Sequence, residues 1–228
     1  MPSHLEHLPA LTAEQDAFTA LVRTADLDRP VPGCAPWTVG DLVRHLTAIH
    51  CWAAATARRD SDADLPDDEA FERAAVAGDY PAAAADLRAA LADADRRCPT
   101  LVGPGRVGWW RRRQLHETFV HRLDLAAALG HPPTADPRVA ADCIAEVVDT
   151  MQPRQVRLGR MPAPAAGIEL STPTGTWTLG PAPVAEVSGP ELVVAQLLWR
   201  RTSPADPRLL ISGDRAAAEA LLSQPLTP

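Results

Sequence analysis

The chain has 228 residues, of which 46% are hydrophobic, and carries a formal net charge of −7 at neutral pH. This length suits one large domain or a medium domain with a small one, and the acidic balance argues against a general nucleic-acid-binding protein. The sequence has no apolar run of membrane-spanning length, and its first residues lack the basic and apolar regions of a secretory signal. We therefore predict a cytoplasmic protein without a nucleic-acid or membrane partner.

The four cysteines are far apart, at Cys34, Cys51, Cys98 and Cys143, and no two of them form a C-x-x-C pair. This spacing argues against a zinc ribbon and against a thioredoxin-like motif. In a reducing cytoplasm we expect the cysteines to be small buried hydrophobic residues, with a catalytic thiol as the less favoured alternative.

Helical periodicity dominates the first two thirds of the chain. The apolar spacing predicts helices over residues 12–25, 38–59, 81–97, 111–129 and 137–151. Thr12 with Gln15, and Thr38 with Asp41, have the spacing of a capping box at a helix start. Gly130 predicts the end of the helix over 111–129. The acidic segment 61–80 is weakly patterned, and we interpret it as a loop with one short helix.

The pattern changes near the C-terminal end. Short strand-like runs cover residues 168–171, 176–179, 184–187 and 209–212. Ser188 with Glu191 predicts a capping box for a helix that ends near Arg201, and Asp214 predicts the cap of a last helix. The predicted fold is α+β: an up-down bundle of four to five helices over 1–152, a Pro/Arg-rich linker over 153–166 and a small α+β domain over 167–228.

The predicted central helix, 111–129, carries the strongest candidate site. Glu117 and His121 are four residues apart and therefore lie on one helical face. His45 lies on the apolar face of the second predicted helix, so it could meet this pair in the bundle core, whereas His50 is predicted to lie further round that helix, away from the apolar face. Two imidazoles and a carboxylate suit zinc with one open position, and nickel and iron accept the same ligand types. The alternative is a metal-free Glu–His pair.

Two motif-like patterns near this site do not support other assignments. His116 with His121 superficially suggests an H-E-x-x-H metalloprotease, but the two histidines are about 140° apart around a helix. The stretch 103–108 matches G-x-G-x-x-G, yet no strand precedes it and a proline interrupts it, so we expect a turn.

Three consecutive arginines, Arg111, Arg112 and Arg113, stand at the predicted start of the central helix, where the helix dipole disfavours cations. The favoured interpretation is a solvated cluster. The alternative is an anchor for an acidic ligand or thiol, with Trp109 and Trp110 forming one wall.

Two motifs together resemble a known family. The stretches PWTVGDLVRHL (36–46) and HETFVHRLDLAAALG (116–130) are similar to the mycothiol-dependent maleylpyruvate isomerase family, within the DinB-like helical-bundle superfamily. The segment EVSGPELVVAQLLWRR, followed by LLISGD, resembles the small C-terminal domain of that family. The resemblance implies that His45, Glu117 and His121 are metal ligands, usually of zinc, and that mycothiol or a related thiol takes part.

The resemblance also implies roles for residues around these ligands. Arg122 and Asp124 match the family's H-R-x-D continuation and are expected either to support the ligands or to have a structural role. Arg201 takes the position of an arginine that faces the active site and is the implied catalytic residue. Arg200 stands where the family has glycine, which leaves the shape of the pocket and the substrate open.

The implied reaction is addition of a thiolate to an activated double bond of a maleylpyruvate-like acid, followed by rotation and loss of the thiol. Release of the adduct would instead make the protein a mycothiol S-transferase. A non-catalytic metal- or ligand-binding module is the second class of function, and a metal-free bundle is the third. The expected partners are a small thiol and an electrophilic, acidic substrate, with the protein a monomer or weak dimer.

Overall fold

The computed structural model describes residues 5–60, 65 and 79–228. The chain divides into two compact units, Met1–Pro133 and Thr134–Pro228. The first is largely helical and the second contains a four-stranded sheet, so the predicted α+β class with a helical bundle before a small sheet domain is confirmed. The short helix expected within 61–80 falls almost entirely outside the described residues. Across the described ranges, no helix has both the length and the apolarity needed to cross a membrane.

The first unit is built from helices with one short hairpin. Its elements are α1 (His7–Val22), a 3-10 turn (Pro32–Cys34), α2 (Val39–Ala57), α3 (Tyr80–Ala90), β1 (Arg97–Thr100), β2 (Gly103–Arg106) and α4 (Val107–Ala128). Helix α4 packs against α1 and α2, and α2 also packs against α3. Buried Phe18, Leu42, Leu46 and Leu125 join these helices in one apolar cluster. The packing brings the polar faces of α2 and α4 together.

Two predicted helix ends are confirmed in this unit and one is wrong. The Thr38 and Asp41 side chains each bond to the other's backbone N–H, which is the predicted capping box. Gly130 has φ of 76° and follows the end of α4, as its position predicts. Thr12 does not cap a helix: α1 already begins at His7, and the Thr12 hydroxyl donates to the carbonyl of Leu8.

The predicted third helix is too long, because α3 ends at Ala90. Strands β1 and β2 form an antiparallel hairpin in the stretch that leads to α4. A Cβ on Gly105 would lie 2.7 Å from Cγ2 of Thr100, so the hairpin requires glycine there. The glycines at 103 and 105 therefore serve a hairpin, and not a nucleotide-binding loop.

The second unit combines a helical segment with a sheet. Its elements are α5 (Pro137–Glu146), a π-helical turn (Val147–Met151), α6 (Gln152–Arg157), β3 (Gly167–Thr172), β4 (Gly175–Leu179), β5 (Pro183–Ser188), α7 (Glu191–Leu198), β6 (Leu210–Gly213) and α8 (Arg215–Leu222). The strand order is β4-β3-β5-β6, with β3 and β5 parallel and the other pairs antiparallel.

The structure divides the chain earlier than the predicted boundary after residue 152. Helix α5 packs against α7 and so belongs to the second unit, and part of the predicted linker is helix α6. The predicted capping box of Ser188 and Glu191 is wrong, because Pro190 takes the cap position and Glu191 accepts from the N–H of Thr174 at 3.0 Å. Asp214 caps α8 as predicted, through the N–H of Ala217.

Candidate metal centre

Three predicted metal ligands meet where α2 crosses α4. Nε2 of His45 lies 3.2 Å from Oε1 of Glu117, and Nε2 of His121 lies 3.3 Å from the same oxygen. The imidazole rings of His45 and His121 are 5.0 Å apart and stand edge to face. One ligand atom from each of the three residues lies within 4.8 Å of the others, so the group could hold one metal ion.

Helix packing explains why His45 reaches this point. Leu42 and Leu46 are fully buried and seat α2 against its neighbours, and His45 stands between them on the side of α4. Its side chain is 23% exposed, whereas that of Glu117 is 16% and that of His121 is 11% exposed. The cluster is therefore sheltered but open to solvent on the His45 side.

Arg113 holds the second oxygen of Glu117. It stands one turn earlier on α4, and its guanidinium donates to Oε2 of Glu117 at 2.8 Å. Burial raises the pKa of Glu117, but hydrogen bonds from His121 and His45, with the charge of Arg113, outweigh burial and hold this pKa well below its ordinary value. Glu117 is therefore a carboxylate near neutral pH, as a metal ligand must be.

The other ring nitrogen of His121 faces a second acid. Nδ1 of His121 lies 3.0 Å from Oδ2 of Asp124, and the thiol of Cys34 donates to the same oxygen at 3.1 Å. Burial lowers the pKa of His121, but hydrogen bonds with Asp124 and the Cys34 thiol outweigh it and hold this pKa well above its ordinary value. Cys34, His121 and Asp124 also form a second group that could hold a metal ion.

Cys34 and Trp37 also lie at the metal centre, and neither was predicted from the sequence. Cys34 is half-buried and makes polar contacts, so the expectation of a buried hydrophobic residue is wrong for it. The ring of Trp37 lies 4.8 Å from that of His45 and 6.3 Å from that of His121. Trp37 belongs to the family-like stretch 36–46, which was the available signal, whereas no periodicity pointed to Cys34.

The three arginines of the predicted cluster differ in their contacts and burial. They do not begin the helix, because α4 starts four residues before Arg111. Arg111 donates to the carbonyls of Leu91 and Ala92 at 2.8 and 2.6 Å. Arg112 is half-buried, and Arg113 is 4% exposed and contacts Glu117. The solvated-cluster interpretation therefore fails for Arg113, and substrate anchoring by the three stays a prediction.

Arg122 also lies on α4, and its ion-pair partner is on α1. Its buried guanidinium forms an ion pair with Glu14 of α1 and lies 5.7 Å from the centre of the Phe119 ring. Arg122 thus ties α1 to α4, and the supporting role that the resemblance implies for it stays a prediction.

A buried histidine near the centre was also misjudged. His50 is completely buried, and its Nδ1 lies 3.1 Å from Oε1 of Gln114, whereas the sequence placed it away from the apolar face. Burial lowers the pKa of His50 to about 4, so the ring is neutral near pH 7. His116 is completely buried as well.

Arg201 and Arg200 belong to the second unit, just after α7. The guanidinium of Arg201 donates to the carbonyl of Trp199 at 2.8 Å. Arg200 has φ of 58°. The catalytic role implied for Arg201 stays a prediction.

Comparison with known proteins identifies the family. Residues 8–126 match the mycothiol maleylpyruvate isomerase N-terminal domain, and residues 138–220 match the MDMPI C-terminal domain. The chain belongs to the mycothiol-dependent maleylpyruvate isomerase family. The resemblance of the two motif stretches is thereby confirmed, and membership of this family supports an isomerase-like enzyme.

Individual proteins are also similar to this chain in sequence or in fold. Two uncharacterised proteins of Mycobacterium tuberculosis, from strains CDC 1551 / Oshkosh and ATCC 25618 / H37Rv, are each 31% identical over 148 residues, which cover 62% of this chain and 77% of the relative. A crystal structure of the mycothiol-dependent maleylpyruvate isomerase is similar with a TM-score of 0.65 and 15% identity, over 90% of this chain and 91% of that one. A histidine-to-alanine mutant of that enzyme is similar with a TM-score of 0.59 and 15% identity, over 84% and 86%. These structures share the fold.

Proposed function

We propose that this protein is a metal-dependent enzyme that uses a low-molecular-weight thiol, mycothiol or a relative, to isomerise an acid that resembles maleylpyruvate. The observation that carries the proposal is the meeting of His45 Nε2, Glu117 Oε1 and His121 Nε2 between two helices. Membership of the mycothiol-dependent family supports the thiol and the class of substrate.

The donor atoms fit a zinc ion. Zinc bonds of about 2.0–2.1 Å at tetrahedral angles place neighbouring ligand atoms about 3.3 Å apart. The two nitrogen–oxygen distances here are 3.2 and 3.3 Å. Three protein ligands leave one position open, and a zinc ion bound by His45, Glu117 and His121 would lower the pKa of a thiol there and supply a thiolate near neutral pH.

The surrounding residues of the chain orient these ligands. Arg113 engages Oε2 of Glu117, so Oε1 remains directed at the two imidazoles. Asp124 accepts the Nδ1 hydrogen of His121, so Nε2 is the nitrogen directed at Glu117, and a bound metal ion would displace the Nε2 hydrogen. The ring of Trp37 lies beside both imidazole rings.

The proposed reaction is thiol addition followed by elimination. The thiolate forms a carbon–sulfur bond with the activated double bond, and the displaced electron pair moves to the conjugated carbonyl as an enolate. The former double bond is now a carbon–carbon single bond and can rotate. The enolate then collapses, which expels the thiolate and restores the double bond in the trans form. By the resemblance, Arg201 would hold a carboxylate or the enolate oxygen of the substrate.

The same residues suit a mycothiol S-transferase, in which the adduct is protonated and released. A metal-free bundle is a further alternative, because Glu117 already has His45, His121 and Arg113 as partners without a metal ion. These alternatives differ in metal content and in reaction product, so measuring these two properties distinguishes them.

Elemental analysis tests the metal. We would compare the wild type with His121→Ala, and with His131→Ala as an exposed control, all purified without chelator or affinity-tag histidines. We expect about one zinc per chain in the wild type and in the control, and none in His121→Ala with retained helical circular dichroism. Absence of metal from a wild type supplied with zinc would leave a metal-free bundle.

Product analysis tests the reaction. Maleylpyruvate and the purified zinc protein are incubated with and without mycothiol, and the trans acid and the thiol adduct are separated chromatographically. We expect the trans acid only when thiol is present. Activity without thiol would overturn the mechanism, and a stable adduct as the main product would assign the S-transferase. If the absorption spectrum of the cobalt-substituted protein does not change when thiol is added, the protein is a non-catalytic module.

A further inference from the structure

A second cluster of possible metal ligands lies at the other ring nitrogen of His121. It consists of the thiol of Cys34, Nδ1 of His121 and a carboxylate oxygen of Asp124, and one ligand atom of each residue lies within 4.8 Å of the others. The proposed metal centre uses Nε2 of His121, and neither Cys34 nor Asp124 is one of its ligands. The cluster is therefore a ligand set that the proposed reaction leaves unused.

Backbone hydrogen bonds hold Cys34 in place. Cys34 ends the 3-10 turn before α2, and its N–H donates to the carbonyl of Val31 at 3.0 Å. Its carbonyl accepts from the N–H of Trp37 at 2.9 Å, and the N–H of Val31 donates to the carbonyl of Trp37 at 2.9 Å. The turn packs against α4, where Asp124 follows His121 by three residues and so lies on the same face. The fold thus fixes the thiol beside the two side chains of α4.

The distances within the cluster are close to those of a tetrahedral site. Sγ of Cys34 lies 3.1 Å from Oδ2 of Asp124 and 4.0 Å from Nδ1 of His121, and Nδ1 lies 3.0 Å from Oδ2. Zinc bonds of about 2.3 Å to sulfur and about 2.0–2.1 Å to nitrogen and oxygen would place the sulfur about 3.6 Å from the other two atoms, and those two about 3.3 Å apart. Small side-chain rotations would therefore complete the site.

Two hydrogens converge on one oxygen in this cluster. The Nδ1 hydrogen of His121 and the thiol hydrogen of Cys34 both point to Oδ2 of Asp124, a residue that is 2% exposed. A divalent cation that displaces both hydrogens as protons leaves the net charge of this buried region unchanged. Because an uncompensated buried charge is costly, this exchange avoids the main penalty for placing a divalent cation here.

The thiol selects the kind of ion. Thiolate sulfur favours soft or borderline cations such as cadmium and zinc, whereas magnesium and calcium prefer oxygen ligands. Cys34 is half-buried, so its thiol is reachable from solvent. Three protein ligands leave one coordination position for water or for an added thiol, as in metal sites that exchange their ligands.

We propose that Cys34, His121 and Asp124 form a second metal site, which takes a thiophilic divalent cation in place of two protons. When this cation binds Nδ1 of His121, the remaining imidazole hydrogen lies on Nε2, 3.3 Å from Oε1 of Glu117. Nε2 can then no longer bind the ion of the first centre, so the two sites exclude each other. The site itself requires neither His45 nor Glu117, whereas the exclusion rests on the proposed function, because it needs zinc at the first centre.

Cadmium titration of the full chain carrying His45→Ala tests the site without competition from the first centre. The ultraviolet charge-transfer band of a thiolate–cadmium bond reports binding, and we expect it to saturate at about one cadmium per chain. Adding Cys34→Ser should abolish the band, and adding Cys51→Ser, at another half-buried thiol, is the matched control and should keep it. Adding Asp124→Asn should weaken cadmium binding by about 100-fold, because loss of a partner that merely orients a ligand already costs about 10- to 100-fold.

The same titration can overturn the site. Circular dichroism confirms that each variant retains its helices, and the wild type titrated with cadmium in excess over zinc provides a second measurement that needs no substitution. No band in the folded His45→Ala chain and none in the wild type would overturn the site, as would a band that survives Cys34→Ser. Equal cadmium affinity with and without Asp124→Asn would leave a lone thiol and would overturn the three-residue site.

Metal counts in the zinc-loaded wild type test the exclusion. After cadmium is added and unbound ions are removed by gel filtration, elemental analysis gives both ions per chain. We expect zinc to fall as the band grows, whereas Cys34→Ser should keep its zinc at the same cadmium concentration. Cadmium uptake with full retention of zinc would overturn the exclusion. A wild type that holds no zinc but shows the band would refute the proposed first centre and support the second site.

Discussion

Asp124 accepts a hydrogen bond from Nδ1 of His121 at 3.0 Å, one helical turn further along α4. The bond fixes the orientation of the ring and places its hydrogen on Nδ1, so that Nε2 faces the oxygen of Glu117. A single histidine thus lies between two carboxylates, of which one orients the ring and the other is a proposed metal ligand beside it.

Replacing Asp124 tests this orientation. Asp124→Asn keeps the shape of the side chain but removes its charge, so we expect zinc affinity to fall by about 10- to 100-fold while the fold is retained. Competition with a chromophoric chelator measures the affinity. Asp16→Asn, at an exposed acid of α1, is the control and should bind zinc as the wild type does. Equal affinity in Asp124→Asn would show that His121 needs no such partner.

Cys34 distinguishes the two groups that could hold a metal ion. If His45, Glu117 and His121 are the ligands, Cys34→Ala removes polar contacts to Asp124 and His121 but no ligand, and should lower zinc affinity by no more than about tenfold. Cys34→Ser restores a donor and should recover the affinity. Cys51→Ala, at another half-buried thiol, is the control. Loss of zinc from Cys34→Ala together with full binding by His45→Ala would assign the metal to Cys34, His121 and Asp124.

The ion pair between Arg122 and Glu14 should matter for stability and not for metal binding. Arg122→Met leaves the carboxylate of Glu14 in a site where it is 9% exposed. We expect the free energy of unfolding to fall by about 3–5 kcal/mol, as is typical when one partner of a buried pair is removed. The double variant with Glu14→Leu should recover much of this loss. Urea unfolding of metal-free protein measures both values.

Metal content decides whether the role of Arg122 is purely structural. Folded Arg122→Met, at a temperature well below its melting point, should hold as much zinc per chain as the wild type. A folded variant without zinc would place Arg122 among the residues that the metal centre needs.

His50 should make stability depend on pH. The unfolded chain takes up a proton on this histidine near pH 6.5, whereas the folded protein does so near its lowered pKa of about 4. Between these values the unfolded state binds more protons, so stability falls as the pH decreases from 6.5 to 4. The full loss is about 3 kcal/mol, because each unit of pKa difference is worth about 1.4 kcal/mol.

The contribution of His50 is isolated by subtraction. The free energy of unfolding of the wild type minus that of His50→Gln should decrease by this amount from pH 7 to pH 4. The same difference taken with His131→Gln, at an exposed histidine, should stay constant. A constant difference for His50→Gln would mean that burial does not lower the pKa of His50, because the folded and unfolded states would then bind the same number of protons at each pH.

Local sequence signals predicted many, but not all, helix ends. The caps at Thr38 and Asp214 and the stop at Gly130 are present as expected. The same kind of pattern failed at Thr12, because the helix continues through it from His7. A cap requires the backbone to leave the helix at that residue, and this depends on preceding residues and on packing that the short pattern does not contain.

The sequence by itself determined what lies within one turn of a helix: Glu117 and His121 share a face because helix geometry brings residues four apart together. Helical periodicity placed His45 on the apolar face of the second predicted helix, and the family-like motif stretches implied that it is a ligand with this pair. The tertiary structure alone decided that Cys34 reaches the centre and that His50 is buried. It also showed that α5 packs with the second unit. The physical reason is range, because helix periodicity is a local property, whereas these contacts depend on which faces of distant segments pack together.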